Sequence, residues 1–168
     1  VIVWDVSTGQ ALLAIRSTEP GADYCLALSP DGRFAASTHG VYRTSDAGIL
    51  LKPHLTYGVV YGVAISGDGR HVATVTDRGW VILWDVGHRR LVEAVHLPNT
   101  HQICVSLSPD GKWLATGEDE GRVRLWSASP LREVAILGRH TARVKSVAFA
   151  PDGLEVASAG DDRMIALW

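Results

Sequence analysis

A four-residue turn signal returns along the chain at near-constant intervals, and no other feature restricts the possible folds so sharply. Ser29-Pro30-Asp31-Gly32 recurs as Ser66-Gly67-Asp68-Gly69, Ser108-Pro109-Asp110-Gly111 and Ala150-Pro151-Asp152-Gly153. The step is the same between the last three copies and slightly shorter between the first two. A second marker keeps the same register. Short β-branched runs end in tryptophan at Val1-Ile2-Val3-Trp4, Val81-Ile82-Leu83-Trp84, Val123-Arg124-Leu125-Trp126 and Ile165-Ala166-Leu167-Trp168. Trp84, Trp126 and Trp168 are evenly spaced, and each follows Gly69, Gly111 or Gly153 by one constant interval. Two markers in one register identify an internal repeat.

Each period reads as strands. Before the turns stand Tyr24-Cys25-Leu26-Ala27-Leu28, Tyr61-Gly62-Val63-Ala64-Ile65, Ile103-Cys104-Val105-Ser106-Leu107 and Lys145-Ser146-Val147-Ala148-Phe149. Large side chains alternate with small ones in every copy, which predicts a first strand buried on both faces: the small face admits a neighbouring sheet and the large face fills the opposite gap. The Asp-Gly turn supplies the positive φ of a tight hairpin. A second strand follows (Phe34-Ala35-Ala36-Ser37 and its counterparts), then the run ending in tryptophan, then a more polar fourth strand at Gln10 to Arg16, Leu91 to Leu97 and Leu131 to Leu137. Four short strands per period leave little room for helices, so the expected class is all-β. The second unit is degenerate. Its tryptophan slot falls near Ser45 and Asp46 after a shortening of about two residues, so it is expected to lack an aromatic anchor.

Composition removes several alternatives. With 16 basic and 18 acidic side chains the net charge is −2, which argues against a general footprint for nucleic acid or anionic membrane. No apolar run approaches the roughly 20 residues of a membrane span. Two cysteines cannot staple a disulfide scaffold, and no basic n-region precedes an apolar core, so no signal peptide is visible. These features favour a cytoplasmic protein.

The sequence Leu83-Trp84-Asp85-Val86, together with Val3-Trp4-Asp5-Val6, the Ser-Pro-Asp-Gly turns and the strands ending in Ala-Thr or Ala-Ser, resembles the WD-repeat family of β-propellers. Trp126-Ser127 departs from the name-giving dipeptide at its second residue. The resemblance implies a partial propeller of four-stranded antiparallel blades, about four repeats from a larger ring. Residues 1–17 would end one blade, 18–53 form the degenerate blade, 54–97 and 98–138 two further blades, and 139–168 a blade without its last strand. Remaining blades of the same chain, or self-association, would complete the ring.

The resemblance also implies a hydrogen-bonded tetrad inside a blade. The last unit carries all of it: His140, Ser158, Asp162 and Trp168. A buried His and Asp need partners, since each left unpaired costs several kcal/mol. The other units match in part, through Thr74 with Trp84 and Thr116 with Glu120 and Trp126. Their acidic slots hold Arg78 and Glu120, and their histidine slots hold Thr56 and Pro98.

None of the seven histidines has a ligand-like partner at metal-site spacing, and no cofactor is expected. Cys25 and Cys104 read as small core residues in blades two apart. Each Asp-Gly turn offers a single carboxylate, too few for calcium. No Gly-rich phosphate loop or nucleophile elbow occurs, so no catalytic residue is assigned. What remains is the rim where the loops before the first strand and between the second and third strands gather. It would carry Tyr57, Asp77, Arg78, Trp80, Glu118, Asp119, Arg143, Lys145 and Asp161. Trp80 stands out, because its counterparts are Arg122 and Met164 and the repeat does not require an aromatic there. The expected function is a non-catalytic scaffold for protein partners within a larger signalling or regulatory protein. The alternative, a propeller enzyme or small-ligand binder using the central channel, would need polar groups converging from the first strands, which offer mainly Ala, Val, Leu and Cys.

Overall fold

The computed structural model describes residues 1–14, 25–52 and 57–168. Strands β1 (Ile2–Asp5) and β2 (Gln10–Ala14) form a hairpin. Four antiparallel sheets follow. The first blade is β3 (Leu26–Leu28), β4 (Phe34–Ser37), β5 (Gly40–Arg43) and β6 (Ile49–Leu51). The second is β7 (Val60–Ile65), β8 (His71–Thr76), β9 (Trp80–Asp85) and β10 (Arg90–His96). The third is β11 (Gln102–Leu107), β12 (Trp113–Glu118), β13 (Arg122–Ala128) and β14 (Leu131–Arg139), and the fourth is β15 (Val144–Phe149), β16 (Val156–Gly160) and β17 (Ile165–Leu167). No α-helix occurs among the described residues. In each sheet the strands are ordered as in the chain, and first strands of successive blades pack on one another: β3 on β7, β7 on β11, β11 on β15. The fold is a four-bladed β-propeller arrangement.

The turn signal works through three bonds. In the first three turns the serine hydroxyl donates to its aspartate at 2.6 Å and accepts the backbone N–H five residues on, at 2.9 to 3.0 Å. The aspartate accepts the N–H two residues on, and the glycine sits at φ +69°, +69° and +71°. The fourth turn has Ala150 in place of serine and keeps only the bond from Leu154 to Asp152.

Alternating residue size sets how blades stack. A Cβ built on Gly62 would lie 3.0 Å from Cα of Cys104, so the small face of the second blade touches the third through bare backbone. Large residues of the following blade fill this interface. Ala64, Ala73, Val75, Val81 and Leu83 of the second blade enclose Val105, Leu107, Leu114 and Trp126 of the third. The same arrangement joins Val41 and Leu51 to Val63, Val72 and Trp84, and Ala115 and Val123 to Val144, Val147 and Val156.

Two expectations are corrected. Burial on both faces of the first strand holds for β7 and β11 only. In β3, Leu26 and Leu28 of the large face are 60% and 53% exposed, and in β15 Ser146 and Ala148 of the small face are exposed. Among the described residues each of these strands has a neighbouring blade on one side alone. The degenerate blade, moreover, keeps an aromatic anchor. Trp84 pairs across the sheet with Val72 and Trp126 with Leu114, each of these partners standing three places after the glycine of its turn. The equivalent position after Gly32 is Ala35, and its partner is Tyr42, buried to 4% exposure. Tyr42 stands nearer to Gly32 along the chain than Trp84 does to Gly69, so the contraction lies in the short turn Thr38-His39 between β4 and β5.

Candidate functional site

The fourth blade brings its four candidate residues into one chain of bonds. The Trp168 indole N–H donates to the Ser158 hydroxyl at 2.9 Å, and Ser158 lies 2.7 Å from Nε2 of His140. Nδ1 of His140 lies 2.9 and 3.0 Å from the two oxygens of Asp162, whose carboxylate also accepts the backbone N–H of Thr141 and Met164. Because the carboxylate can only accept, Nδ1 carries the proton and Nε2 accepts from the serine. Burial pushes the Asp162 carboxyl up, but the His140 bond and the two backbone N–H groups outweigh it and hold it below the usual range. The tetrad pins the connection into β15 to the turn between β16 and β17.

Two other blades retain only the indole–hydroxyl rung. Trp84 donates to Thr74 at 2.9 Å and Trp126 to Thr116 at 3.0 Å, both bonds buried. Glu120 does not join the second of these. It is exposed and paired with Arg122 at 3.0 Å, since the third blade offers Pro98 where a histidine would draw it inward. Thr56 lies outside the described residues.

The third blade has a polar rung of its own, which the sequence reading missed. Gln102 on β11 donates to Glu118 on β12 at 3.0 Å, Arg124 on β13 donates to Glu118 at 2.5 Å, and Arg124 reaches Glu133 on β14 at 2.5 Å. One line of bonds thus crosses all four strands. Glu118 is fully buried, which corrects its placement on the open rim. It follows Thr116 by two residues and so shares that residue's inward face, where Arg124 and Arg122 balance its charge. Burial lowers the Arg124 pKa, yet the hydrogen bond and charge of Glu118, with Glu133 behind it, raise it above the ordinary value.

The remaining candidates do gather at one end of the blades. Backbone bonds tie each turn between second and third strands to the connection entering the first: Asp77 to Val59 at 3.1 Å, Asp119 to His101 at 3.0 Å, and Asp161 to Arg143 at 2.8 Å. The Asp77 carboxylate accepts the Val59 N–H at 2.9 Å, and Arg78 projects into solvent. Trp80 is half-buried between two rings. Tyr57 meets it edge-on with centroids 5.0 Å apart, and His96 stacks on it at 4.6 Å, with its Nε2 placed 3.0 Å from the Arg78 carbonyl. Asp119 pairs with Arg143 across two blades, and Lys145 with Asp161 at 3.2 Å within one. The Arg143 hydrogen bond holds the Asp119 carboxyl below its usual range. Among the described residues no three His, Cys, Asp or Glu side chains converge as metal ligands, and neither Cys25 nor Cys104 is in a disulfide.

The family described as WD domain, G-beta repeat matches the chain three times, at residues 46–85, 92–127 and 131–168. No curated protein matches the chain. Those three segments cover most of the sequence, and each carries one of the indole–hydroxyl rungs at the same register. The chain belongs to the WD-repeat family of β-propellers.

Proposed function

We propose that this chain is a non-catalytic platform for protein partners, acting in the cytoplasm within a larger signalling or regulatory protein, and that partners dock on the rim bearing Trp80. WD repeats build folds of the protein-interaction kind. The observation that carries the choice of rim is the clamp on Trp80: Tyr57 and His96 hold its ring at 5.0 and 4.6 Å while it stays half-exposed. A large aromatic fixed before binding loses little entropy on contact, which is how hot-spot residues contribute most. Asp119, Arg143, Lys145 and Asp161 supply a charged border of mixed sign. The test is capture of partners by the immobilised chain and by its Trp80→Ala/Arg143→Ala variant. Capture falls sharply while the thermal midpoint stays high enough to leave both forms folded at the assay temperature. Equal capture by both folded forms would remove the rim from this role.

A further inference from the structure

At the opposite end of the blades the Asp-Gly turns surround a cleft of about 360 Å³ between the first and second blades. Four arginines line it from separate turns and strand ends, Arg33, Arg43, Arg70 and Arg89, with Asp68 among them. Phe34, with the Arg33 guanidinium 5.6 Å over its ring, and Leu50 add apolar lining, both packed against the core shared by these blades. We propose that this cleft docks an acidic peptide segment of a partner protein, its carboxylates pairing with the four arginines while an apolar side chain between them rests on Phe34 and Leu50.

Three observations support this. First, the carboxylates nearby are already engaged. Asp31 is bonded by Ser29 and the Arg33 N–H, Asp68 by Ser66 and the Arg70 N–H, and Asp46 by the Gly48 N–H. Arg33 pairs with Asp31 at 2.5 Å and Arg43 with Asp46 at 2.6 Å, each in solvent and through one guanidinium nitrogen, and the pair of Arg70 with Asp68 is long at 3.8 Å. Such pairs contribute little and leave most guanidinium donors open for a bidentate carboxylate. Second, Arg89 forms no ion pair among the described residues and sits at φ +54°. The corresponding turn of the first hairpin has Gly9 at φ +69°, the residue such a backbone favours. Ala47, Asn99 and Arg163 share this conformation at other turns, so its use here is that Arg89→Gly removes the side chain without straining the turn. Third, the apolar lining suits a peptide better than a bare phosphate, and the chain's net charge of −2 supplies no basic stripe for duplex nucleic acid. The surface is distinct from the Trp80 rim and does not depend on it.

The experiment is fluorescence anisotropy on the whole chain with a labelled octapeptide of Glu and Asp around one central Leu, beside its Gln/Asn counterpart, inorganic phosphate and a short DNA duplex as competitors. The acidic peptide binds, more weakly as salt is raised, and the neutral counterpart does not. Arg89→Gly weakens binding about fivefold to tenfold while the thermal midpoint holds or rises, because glycine suits that turn. Arg43→Gln weakens it too, and Trp80→Ala leaves it unchanged, which separates this site from the rim. Absence of binding, indifference to Arg89→Gly, or displacement by phosphate or DNA in preference to peptide would each overturn the proposal.

Discussion

Gly138 of the third blade lies so close to the indole of Trp168 in the fourth that a Cβ added at 138 would overlap the six-membered ring. That ring has no easy retreat. Its N–H is bound to Ser158 at 2.9 Å, and the Trp168 backbone exchanges bonds with Val156 at 2.9 and 3.1 Å. Gly138→Ala must therefore displace the tryptophan and loosen the tetrad behind it. A loss of about 1–3 kcal/mol is expected, the usual cost of forcing extra volume into a packed interface. Urea unfolding checks it; an unshifted midpoint would mean that the ring moves freely.

Acid should unfold the molecule through its turns. The Ser29 hydroxyl, then the Arg33 backbone and side chain, lower the Asp31 carboxyl to about 2. The Ser108 hydroxyl and the Lys112 N–H lower Asp110 in the same way. A depressed folded-state pKa contributes stability that is complete above the unfolded value near 4 and is lost as pH falls through the folded value. Stability followed by circular dichroism should therefore drop between about pH 4 and pH 2. Asp31→Asn combined with Asp110→Asn should lower stability at neutral pH and flatten that acid limb. A limb of unchanged steepness would show that these turns do not drive it.

The repeat is legible in the sequence because its markers are backbone requirements. A tight hairpin needs positive φ at glycine and a short acceptor beside it, and both recur with the same spacing from the tryptophan. The tetrad is legible for the same reason, since one blade holds all four residue types in register. Tyr42 is not, because carrying the turn-to-tryptophan interval forward from Gly32 steps over a shortened turn, and only strand pairing shows which aromatic faces Ala35. Acidic neighbours draw Glu118 toward the rim on paper, although alternation from Thr116 already points it inward. The clamp on Trp80 depends on the pairing of His96 with Trp80 across β9 and β10. The arginine cleft joins the Asp-Gly turns of two blades, where Arg33 and Arg70 each follow the motif glycine, but only the fold brings Arg43 and Arg89 beside them.

The buried rung of the third blade makes a sharp comparison of variants. Arg124→Met leaves the buried Glu118 carboxylate with Gln102 and the more distant Arg122 at 3.3 Å. Breaking a buried ion pair from one side typically costs about 3–5 kcal/mol, whereas replacing both partners by apolar groups is often nearly neutral. Arg124→Met should therefore cost about 3 kcal/mol, and adding Glu118→Met should recover much of it. The measurement is a double-mutant cycle by urea unfolding. Additive losses would show that Arg124 is not what holds Glu118 in the interior.

Cys104 provides a readout of blade separation. Burial pushes its thiol up to about 12, against which the backbone N–H groups of Gly117 and Val147 act only in part. The sulfur faces the Val144 carbonyl at 3.9 Å, inside the interface between the third and fourth blades. Thiolate is the reactive form, so at neutral pH the folded protein offers almost none at this position. With Cys25 replaced by serine to leave a single thiol, alkylation by iodoacetamide should track opening of that interface. Gly138→Ala and Ser158→Ala should speed labelling, because both loosen the fourth blade, while Arg89→Gly at the far side of the second blade should not. Fast labelling of the unmodified interface in native buffer would contradict the packing of Cys104 against the fourth blade.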